Sequence, residues 1–530
     1  MPRMSVDLPT LGELPTIAAE NNPNALAFAD AGAKIDATSD ADSDGEGNGE
    51  SVTWAAFEER SLVAADAFQT HVRQGDRVAF LAESSVGTTT LWSGALKAGA
   101  IVSYVHTKAA PETVRHSIDE LRPEVLVVGA EFAEFFAETV WPDLEAEPHV
   151  VVCDGAARGD AESLDSFLAG AAPVAPDVAV SVDDIAVVAW TSGTTGDPKG
   201  WCHTHRSIVL KGLSRKTDRG TRQLSSASTS FMAWYGHVVP NAIAGGAVVF
   251  LPDWTPTAWA EAVEAFDVTR AGMVPTMWRS ILDLDLSRYD LSSLETVTFV
   301  GEKMDRTTLN RLREQVCENV VNAYSSTEFT ISTNTVEEME GERIESVGKP
   351  ADGTRVRIVE PGGEPEDTVP RGETGEILVK GADCPVWAWG RSDLLDEEFT
   401  DGWWHSGDLG YRDEDGYLFL EGRADFMIKS KGVKVFPGPI EERLNAHPEV
   451  DEAAVVGVED EAYGQKVTAV VTRGDDAVDS ADLDEWCLDS DEVARFERPR
   501  EYVFVEDGLP RTPSRKLDRR ALLDRLEDGQ

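Results

Sequence analysis

Short apolar runs alternate with longer amphipathic stretches along most of the chain. Each run is long enough for one buried strand, and the stretches that follow have the spacing of helices. This alternation predicts βαβ units, and therefore parallel sheets covered by helices. The predicted strands are 78–82, 101–105, 125–129, 185–190, 248–251, 297–300 and 320–323, and the clearest predicted helices are 88–98, 111–121 and the segments after Thr255 and Asp305.

The pattern changes toward the carboxyl terminus. Around Ile377 the apolar positions become those of short strands separated by turns, and residues 415–416 are an Asp-Gly pair typical of a hairpin. A small α/β unit follows, with a helix predicted at 440–446 and a strand at 453–458. The sequence therefore predicts an α/β protein: a large N-terminal unit with parallel sheets and a β-rich subdomain, then a small C-terminal α+β unit.

Length and charge limit the classes of protein to which the chain can belong. A chain of 530 residues is too long for one hydrophobic core, so two or more domains are expected. Asp and Glu number 96 against 48 Lys and Arg, a net charge of −48 that disfavours nucleic-acid binding. The acidic side chains also repel one another, and molar salt screens this repulsion. The charge therefore favours a protein from a cytoplasm with molar salt over an ordinary acidic cytosolic protein.

The cysteines and the hydropathy of the chain favour a reduced, cytoplasmic protein. The five cysteines are scattered, with no C-x-x-C pair and no zinc-type spacing. The first residues lack the apolar core of a secretory signal, and no apolar run is long enough to span a membrane. The expectation is therefore a cytoplasmic protein without integral membrane association, and the oligomeric state stays open.

One polar loop follows the predicted strand 185–190. In it, four hydroxyls, three glycines and a lysine stand within ten residues, a composition that suits a polyphosphate because backbone N–H groups, hydroxyls and a cation all face anionic oxygens. A Walker loop requires G-x-x-x-x-G-K-[ST], and here Gly200 stands where the last hydroxyl should be. The candidate phosphate-binding residues are Thr191, Ser192, Gly193, Thr194, Thr195, Gly196 and Lys199.

The spacing of this loop resembles the phosphate-binding signature of the adenylate-forming superfamily, which contains acyl-CoA synthetases, luciferases and peptide-synthetase adenylation domains. Five further motifs follow in the family's order, from residue 301 to residue 516. The resemblance covers most of the chain and implies ATP, Mg²⁺ and coenzyme A. It also implies a boundary between an N-terminal domain, 1–424, and a mobile C-terminal domain, 425–530, with its hinge at Asp425.

Two segments after strands resemble the family's adenine and phosphate contacts. In Tyr324-Ser325-Ser326-Thr327-Glu328, the resemblance places Tyr324 against adenine, Thr327 at a phosphate and Glu328 on Mg²⁺. Mg²⁺ favours a carboxylate combined with substrate phosphate oxygens, which agrees with that role. The other segment, Gly301-Glu302-Lys303, resembles the one that borders adenine.

Two further residues match the family's ribose contacts. Asp408 matches the aspartate that accepts the ribose hydroxyls, and Arg423 matches a second ribose contact. A carboxylate that accepts two adjacent O–H donors is a simple means of orienting a sugar.

The small domain carries the remaining motifs. The resemblance places Lys516 between the substrate carboxylate and the α-phosphate, where a cation stabilises the transition state. It places Gly432 in the pantetheine tunnel. Lys434 replaces the family's commoner arginine, and Arg515 replaces the usual glycine, so the contacts and the loop conformation at these two positions are open.

The acyl pocket is predicted from a segment rich in aromatic residues. Trp234 and His237 fall where the family lines its acid site, and no aspartate is present there to pair a substrate ammonium. Ser325 stands where acetate-specific relatives carry tryptophan, which favours an acid larger than acetate. Ordinary packing remains the alternative for Trp234 and His237.

The resemblance implies a two-step acid–thiol ligase, that is, an AMP- and pyrophosphate-forming acyl-CoA synthetase, with a role in fatty acid metabolism expected. Its substrates would be a small carboxylic acid, ATP and coenzyme A. The alternatives are an adenylation enzyme that passes its acyl group to a carrier protein in trans, a luciferase-like oxygenase and a non-catalytic scaffold. The fourteen residues after Lys516 leave no room for a fused carrier, which favours soluble coenzyme A.

Overall fold

A computed structural model provides the three-dimensional structure of the chain. It describes residues 8–31, 50–153, 159–191, 198–215, 217–335, 339, 341–431, 433–460, 462–473, 478–489, 493–511 and 517–527.

Strands and helices alternate through the first 325 residues, as the apolar pattern predicts. The strands are β1 (Leu26–Asp30), β2 (Ser51–Thr53), β3 (Arg77–Leu81), β4 (Ile101–Tyr104), β5 (Val125–Gly129), β6 (His149–Cys153), β7 (Glu162–Ser163), β8 (Ile185–Thr191), β9 (Lys199–Thr204), β10 (Arg222–Ser225), β11 (Ala247–Phe250), β12 (Arg270–Met273), β13 (Thr296–Val300), β14 (Val320–Ser325), β15 (Thr330–Thr335), β16 (Lys349–Pro350), β17 (Arg355–Val359), β18 (Gly375–Lys380), β19 (Trp387–Trp389), β20 (Phe399–Thr400), β21 (Trp403–Arg412), β22 (Leu418–Arg423), β23 (Ile428–Ser430), β24 (Val433–Val435), β25 (Val450–Asp460), β26 (Gly464–Arg473) and β27 (Glu501–Phe504).

The helices cover both large sheets and the small C-terminal sheet. They are α1 (Leu14–Asn21), α2 (Trp54–Phe68), α3 (Val86–Lys97), α4 (Pro111–Leu121), α5 (Ala133–Phe135), α6 (Leu164–Phe167), α7 (His205–Leu213), α8 (Met232–Ala244), α9 (Pro256–Phe266), α10 (Pro275–Leu282), α11 (Arg306–Gln315), α12 (Leu394–Glu398), α13 (Pro437–Asn445), α14 (Ser480–Leu488) and α15 (Arg519–Glu527).

Helices α9 and α11 begin at the predicted positions, and each has the expected side-chain cap. The hydroxyl of Thr255 accepts a hydrogen bond from the Ala258 N–H at 3.1 Å, and Pro256 begins α9. Asp305 caps α11 by accepting from the Thr308 N–H at 2.8 Å. Both contacts satisfy N–H groups that the helix itself leaves without partners.

Two large sheets form the N-terminal part of the described structure. One has the strand order β19-β9-β8-β4-β3-β5-β6-β7 and is parallel from β8 to β7. The other has the order β16-β15-β14-β13-β12-β10-β11-β1-β2 and is parallel from β14 to β1. Strands β9 and β15 run antiparallel directly after two of the site loops, which the sequence analysis did not predict.

The helices between the two sheets bury the largest apolar cluster of the described residues. Phe28, Trp54 and Phe57 pack with ring centroids 4.6 to 6.1 Å apart and are almost fully buried. Helices α2, α3 and α8 contribute to this cluster. Burial of such aromatic side chains is the main contribution to a rigid core, and this core supports the loops at the strand ends.

A third, antiparallel sheet is formed by β17, β18, β20, β21 and β22, and a fourth by β23 to β27. The chain passes from the third sheet to the fourth between Arg423 and Ile428. The predicted boundary at 424/425 and the mobility of the second domain stay predictions. The predicted fold class, with its β-rich subdomain and small C-terminal α+β domain, is confirmed. Within the described ranges, no helix is long and apolar enough to cross a bilayer.

Candidate active site

Three of the predicted site loops begin at strand ends. Gly301 follows β13 with a φ of 91°, and Tyr324 lies near the end of the neighbouring β14. Thr191 ends β8 in the other large sheet, and its hydroxyl lies 3.4 Å from the Lys199 carbonyl oxygen. Ligands collect beyond the carboxyl ends of parallel strands, so the geometry agrees with a ligand site there. Ser192, Gly193, Thr194, Thr195 and Gly196 lie outside the described residues.

The structure brings Tyr324, Asp408 and Arg423 together. The Tyr324 hydroxyl donates to Asp408 Oδ2, and Arg423 Nη1 lies 3.2 Å from Asp408 Oδ1. Burial and the neighbouring Asp408 carboxylate raise the pKa of Tyr324 well above its usual value, so the phenol stays a donor. Burial opposes the charge of Arg423, but Asp408 and Asp425 outweigh it and raise the pKa of the guanidinium.

The backbone around this cluster holds it in place. Strands β21 and β22 pair Asp408 opposite Arg423, and the Asp408 N–H donates to the Ser406 hydroxyl at 3.0 Å. Arg423 Nη1 also donates to the Ser406 carbonyl oxygen at 2.7 Å. Asp408 is thus oriented from three sides before any ligand binds. Such preorganised carboxylates suit the recognition of a diol.

Glu328 lies in the turn between β14 and β15 and is almost fully buried. Its backbone carbonyl accepts a hydrogen bond from Lys211 Nζ at 2.8 Å, and Asp383 Oδ2 lies 3.5 Å from the same nitrogen. Burial raises the pKa of the Glu328 carboxyl, and the charge of Glu398 adds to the shift while Lys211 opposes it. A carboxylate in that setting gains from a cation at its oxygens.

Lys199 begins β9 and pairs with Glu398, at the end of α12, with 2.5 Å between Nζ and Oε1. Glu398 therefore lies near both Lys199 and Glu328. The sequence indicated only Lys199 and Glu328 of this group of charges, because nothing local marks Glu398 as their neighbour.

The predicted acyl residues differ in their surroundings. His237 Nδ1 lies 2.9 Å from the Ser225 hydroxyl at the end of β10, and Nε2 would lie 3.4 Å from a Cβ at Gly272 on β12. Trp234 is fully buried and packs edge-on against Trp92 at 5.3 Å within the apolar core. This contact agrees with packing, the alternative left open for Trp234, and its acyl role stays a prediction.

Ser325, the third predicted acyl residue, is half-buried at the end of β14 and pairs with Thr330 across the turn that contains Glu328. Thr327 is half-buried in the same turn.

The 301–303 loop contacts the small domain. Glu302 Oε1 lies 3.7 Å from Arg511 Nη1, and Lys303 Nζ lies 2.5 Å from Glu442 Oε2 on α13. Arg511 also holds Glu452 of β25 through Nη2 at 2.5 Å. These contacts anchor the start of the segment that leads to Lys516.

The other small-domain residues fall partly outside the description. Asp425 Oδ2 lies 3.3 Å from Arg423 Nη2 in a short 3₁₀ turn between the third and fourth sheets. Lys434 pairs with Lys429 in the β23–β24 register. Gly432, Arg515 and Lys516 lie outside the described residues.

Sequence reasoning missed the buried support of the site. Lys211 under Glu328, its partner Asp383 and the ring of His203 carry no motif that marks them. His203 is fully buried, and both its ring nitrogens lack a hydrogen-bond partner among the described residues. Burial and the charge of Lys211 lower its pKa well below the usual value, so the ring is neutral. Lysine and aspartate in an acidic chain are expected on the surface, and only the tertiary fold buries this pair.

One group of potential metal ligands lies elsewhere. His71, His149 and Glu162 place their ligand atoms within 4.8 Å of one another, and His149 Nε2 lies 2.8 Å from Glu162 Oε2. The two imidazole rings stack at 4.2 Å, and His71 lies three residues after α2 while His149 begins β6.

The fold is that of adenylate-forming enzymes. Residues 16–384 match the profile of AMP-binding enzymes, and residues 439–516 match the AMP-binding enzyme C-terminal domain. The chain belongs to this family.

Curated relatives and solved structures agree with that membership. A feruloyl-CoA synthase from Amycolatopsis sp is 31% identical over 516 residues, which cover 96% of this chain and 97% of the relative. A 3-hydroxybenzoate–CoA ligase from Aromatoleum sp. (strain CIB) is 29% identical, covering 91% and 92%. The crystal structure of the anthranilate CoA ligase AuaEII with anthranoyl-AMP has a TM-score of 0.86 at 24% identity, covering 99% of both chains. The chain is an AMP-forming acid–thiol ligase that uses a carboxylic acid, ATP and coenzyme A.

Proposed function

We propose that this ligase activates a carboxylic acid larger than acetate, with aromatic acids as the first class to test, and that Mg²⁺ accompanies ATP. The relatives named above act on ferulate and hydroxybenzoate, which supports aryl acids. Ser325, in place of a bulky tryptophan, leaves the pocket open for a ring.

The observation that carries the proposal is the Tyr324–Asp408–Arg423 cluster at the end of β14. Three residues distant in sequence meet with their hydrogen bonds arranged around one carboxylate. We propose that Asp408 accepts the ribose hydroxyls of ATP and that the Tyr324 ring lies against adenine. Gly301, Glu302 and Lys303 border the base from the neighbouring strand end.

In the first step, a substrate carboxylate oxygen attacks the α-phosphorus of ATP. A P–O bond forms to the acid, the bond to the bridging oxygen breaks, and pyrophosphate leaves. The acid is ionised at neutral pH, so no general base is needed. The two reactants are anions, and Lys516 between them would lower the barrier by neutralising charge, while Lys199 and the loop from Thr191 hold the β- and γ-phosphates.

In the second step, the thiolate of coenzyme A attacks the acyl carbon and the C–O bond to AMP breaks. AMP leaves with both electrons of that bond, and the thiol proton goes to solvent. We propose that Asp425 is the hinge that exchanges the adenylation orientation of the small domain for the thioester orientation. Gly432 would then line the pantetheine tunnel beside Lys434.

Mg²⁺ fits the residues at the phosphate end. Glu328 offers a buried carboxylate whose charge is disfavoured without a cation, and Thr327 precedes it. Hard oxygen donors of this kind suit Mg²⁺, which takes its remaining ligands from phosphate and water. The metal would neutralise phosphate charge during the first step.

The net charge supports a working environment of high salt. With 96 acidic side chains against 48 basic ones, self-repulsion destabilises the compact state at low ionic strength, and a Debye length of about 3 Å at 1 M salt removes most of it. We therefore propose a halophilic cytoplasmic enzyme and expect activity to be highest in molar KCl.

Pyrophosphate release across a panel of carboxylic acids, with and without coenzyme A, tests this function. We expect release with acids larger than acetate and acyl-CoA only when coenzyme A is present. Adenylation without thioester formation would favour the second candidate, transfer to a carrier protein in trans. Absence of release with every acid in molar KCl would contradict the proposal.

The variant Lys516→Ala tests the assignment of the catalytic cation. We expect a loss of adenylation of at least about 100-fold, because a positioned charge in the transition state is removed. Thioester formation from supplied acyl-AMP should be largely retained. Equal loss of both half-reactions would contradict the role of Lys516.

A further inference from the structure

Arg215, two residues after α7, is a cation without a partner among the described residues. It donates no hydrogen bond and forms no ion pair with any residue in the part of the chain that the structure describes. It is half-buried, and the atoms packed around it lower the pKa of its guanidinium. The chain has 96 acidic against 48 basic side chains, so a desolvated cation that pairs with none of the described carboxylates needs a physical reason.

The place of the Arg215 guanidinium is specific. A Cβ at Gly236 on α8 would lie 2.6 Å from Arg215 Nη2 and 2.7 Å from Cζ. The guanidinium therefore lies flat against the helix backbone, in space that the absence of a side chain at Gly236 provides. Arginine loses considerable rotamer freedom when held in this way, and a held, desolvated charge without a partner destabilises the fold.

His237, the next residue on α8, lies beside this charge. Burial and the charge of Arg215 lower its pKa to about 3, so the ring is neutral at physiological pH. When the Ser225 hydroxyl donates to Nδ1, Nε2 carries the proton and faces Gly272. The Arg215 guanidinium and the His237 imidazole N–H are then two hydrogen-bond donors in the same region, one positively charged and one neutral.

This region lies where the acyl pocket is predicted, beside His237. Ser225 ends β10 and Gly272 lies near the end of β12, and both strands are parallel to β14, which carries Tyr324. The phosphate candidates lie instead on β8, on β9 and in the turn after β14. An anion that meets Arg215 is therefore part of the acid and not of ATP.

We propose that Arg215, together with His237, forms a subsite for a second anionic group on the acid, so that preferred substrates carry a carboxylate or sulfonate remote from the reacting carboxylate. The inference rests on the proposed function and narrows its substrate class. Arginine suits the role because its planar fork binds a carboxylate through two parallel hydrogen bonds. An aromatic spacer between the two anions is compatible with an open pocket at Ser325.

Matched acids that differ only in the second charge test this subsite. We would compare terephthalate with 4-carbamoylbenzoate, and succinate with succinamate, by kcat/KM for pyrophosphate release in the wild-type enzyme. We expect the dianion of at least one pair to be preferred by about 100-fold, since a desolvated ion pair is worth that much or more. A wild-type preference for the monoanionic member of both pairs would overturn the inference.

Two variants separate binding of the anion from a structural role. Arg215→Met removes the charge at similar volume, and Gly236→Ala displaces the guanidinium while keeping it. Both should reduce kcat/KM for the dianion by about 100-fold and leave kcat/KM for the monoanionic acid and the KM for ATP unchanged. Arg73→Met is the matched control, because Arg73 is exposed and its loss changes the net charge equally. Equal losses for both acids, or an increase confined to the KM for ATP, would overturn the inference.

Thermal unfolding of the wild-type enzyme tests binding of the second anionic group without any variant. The dianion should raise the midpoint at concentrations at which the amide analogue does not. Equal shifts would contradict the inference. Turnover of monoanionic acids with no response to any dianion would remove the second subsite and leave the proposed function intact, whereas no turnover of any acid would contradict the proposed function itself.

Discussion

Two arginines of the candidate site, Arg423 and Arg215, differ in what surrounds them. Arg423 lies 3.2 Å from Asp408, 3.3 Å from Asp425 and 2.7 Å from a backbone carbonyl, so its charge is fully engaged. Arg215 has no such partner among the described residues, and its guanidinium lies where a Cβ at Gly236 would be, 2.6 Å from Nη2. The charge of Arg423 is thus paired before a ligand binds, whereas that of Arg215 is not paired with any described residue.

We relate this difference to the charge of the group that each arginine would face: ribose near Arg423 and an anionic group of the acid near Arg215. Ribose hydroxyls are neutral, so the groups that bind them are oriented best by internal pairing, which keeps Asp408 fixed. An anion needs a cation that is still available, and a protein carboxylate at Arg215 would compete with it. The cost of the unpaired charge falls on the free protein and is recovered when the acid binds.

The largest effect is expected at a third cation of the site, Lys211, which is paired and buried. Lys211→Met leaves the buried Asp383 carboxylate without its charged partner and with only the Thr330 N–H, 3.1 Å from Oδ2, as a donor, and we expect the free energy of unfolding to fall by about 3–5 kcal/mol. Urea denaturation followed by circular dichroism measures it. The control is Lys211→Met combined with Asp383→Asn, which should recover much of the loss. A loss below about 1 kcal/mol in the single variant would contradict the pairing.

The buried histidines provide a pH test of the same principle. His205 Nδ1 accepts from the Leu11 N–H at 3.1 Å, and burial lowers its pKa to about 4. When the pH falls below about 6.5, the ordinary pKa of histidine, His205 is protonated in the unfolded chain but stays neutral in the folded chain. Stability is therefore retained above pH 6.5 and falls as the pH drops to about 4, by about 3 kcal/mol for this residue. His205→Asn should flatten the dependence by up to one proton, and an unchanged slope would contradict the assignment.

An intermediate effect is expected on the paired side of the cleft. Asp408→Asn removes the charge between Arg423 and Tyr324, and hydrogen bonds to charged groups contribute about 1.5–3 kcal/mol. We expect kcat/KM for ATP to fall by about 10–100-fold, with the preference among acids unchanged. Pyrophosphate exchange at varied ATP measures it. An altered acid preference with normal use of ATP would contradict the proposed role.

The smallest effect is expected from the unpaired cation. Arg215→Met leaves no protein carboxylate without a partner, so the free energy of unfolding should stay within about 1 kcal/mol of the wild-type value or rise. Urea denaturation in the absence of ligand, beside Lys211→Met, gives the direct contrast. A loss as large as that of Lys211→Met would show that Arg215 has a structural partner.

The sequence predicted the fold well because local patterns specify its parallel strands. The runs at 125–129 and 185–190 became β5 and most of β8, and the cap at Asp305 began α11 where expected. The antiparallel returns β9 and β15 were not predicted, because their residues do not alternate cleanly and their pairing depends on partners elsewhere in the chain.

The site was predictable only where motifs are contiguous. Tyr324, Asp408 and Arg423 were singled out by resemblance, and the structure shows them in contact. Arg215, Lys211 and Glu398 were invisible, since each is defined by a contact, or by the lack of one, with a residue far away in sequence. Nothing in the local sequence separates an unpaired buried arginine from a solvated one.

An oxygen-isotope experiment tests the central claim, activation through an acyl-adenylate, most directly. With the preferred acid labelled with ¹⁸O in its reacting carboxylate, ATP and coenzyme A, mass spectrometry of the products follows the bonds that form and break. Attack on the α-phosphorus followed by thiolysis predicts one labelled oxygen in each AMP and none in pyrophosphate. Unlabelled AMP, or label in a phosphate product, would contradict the account.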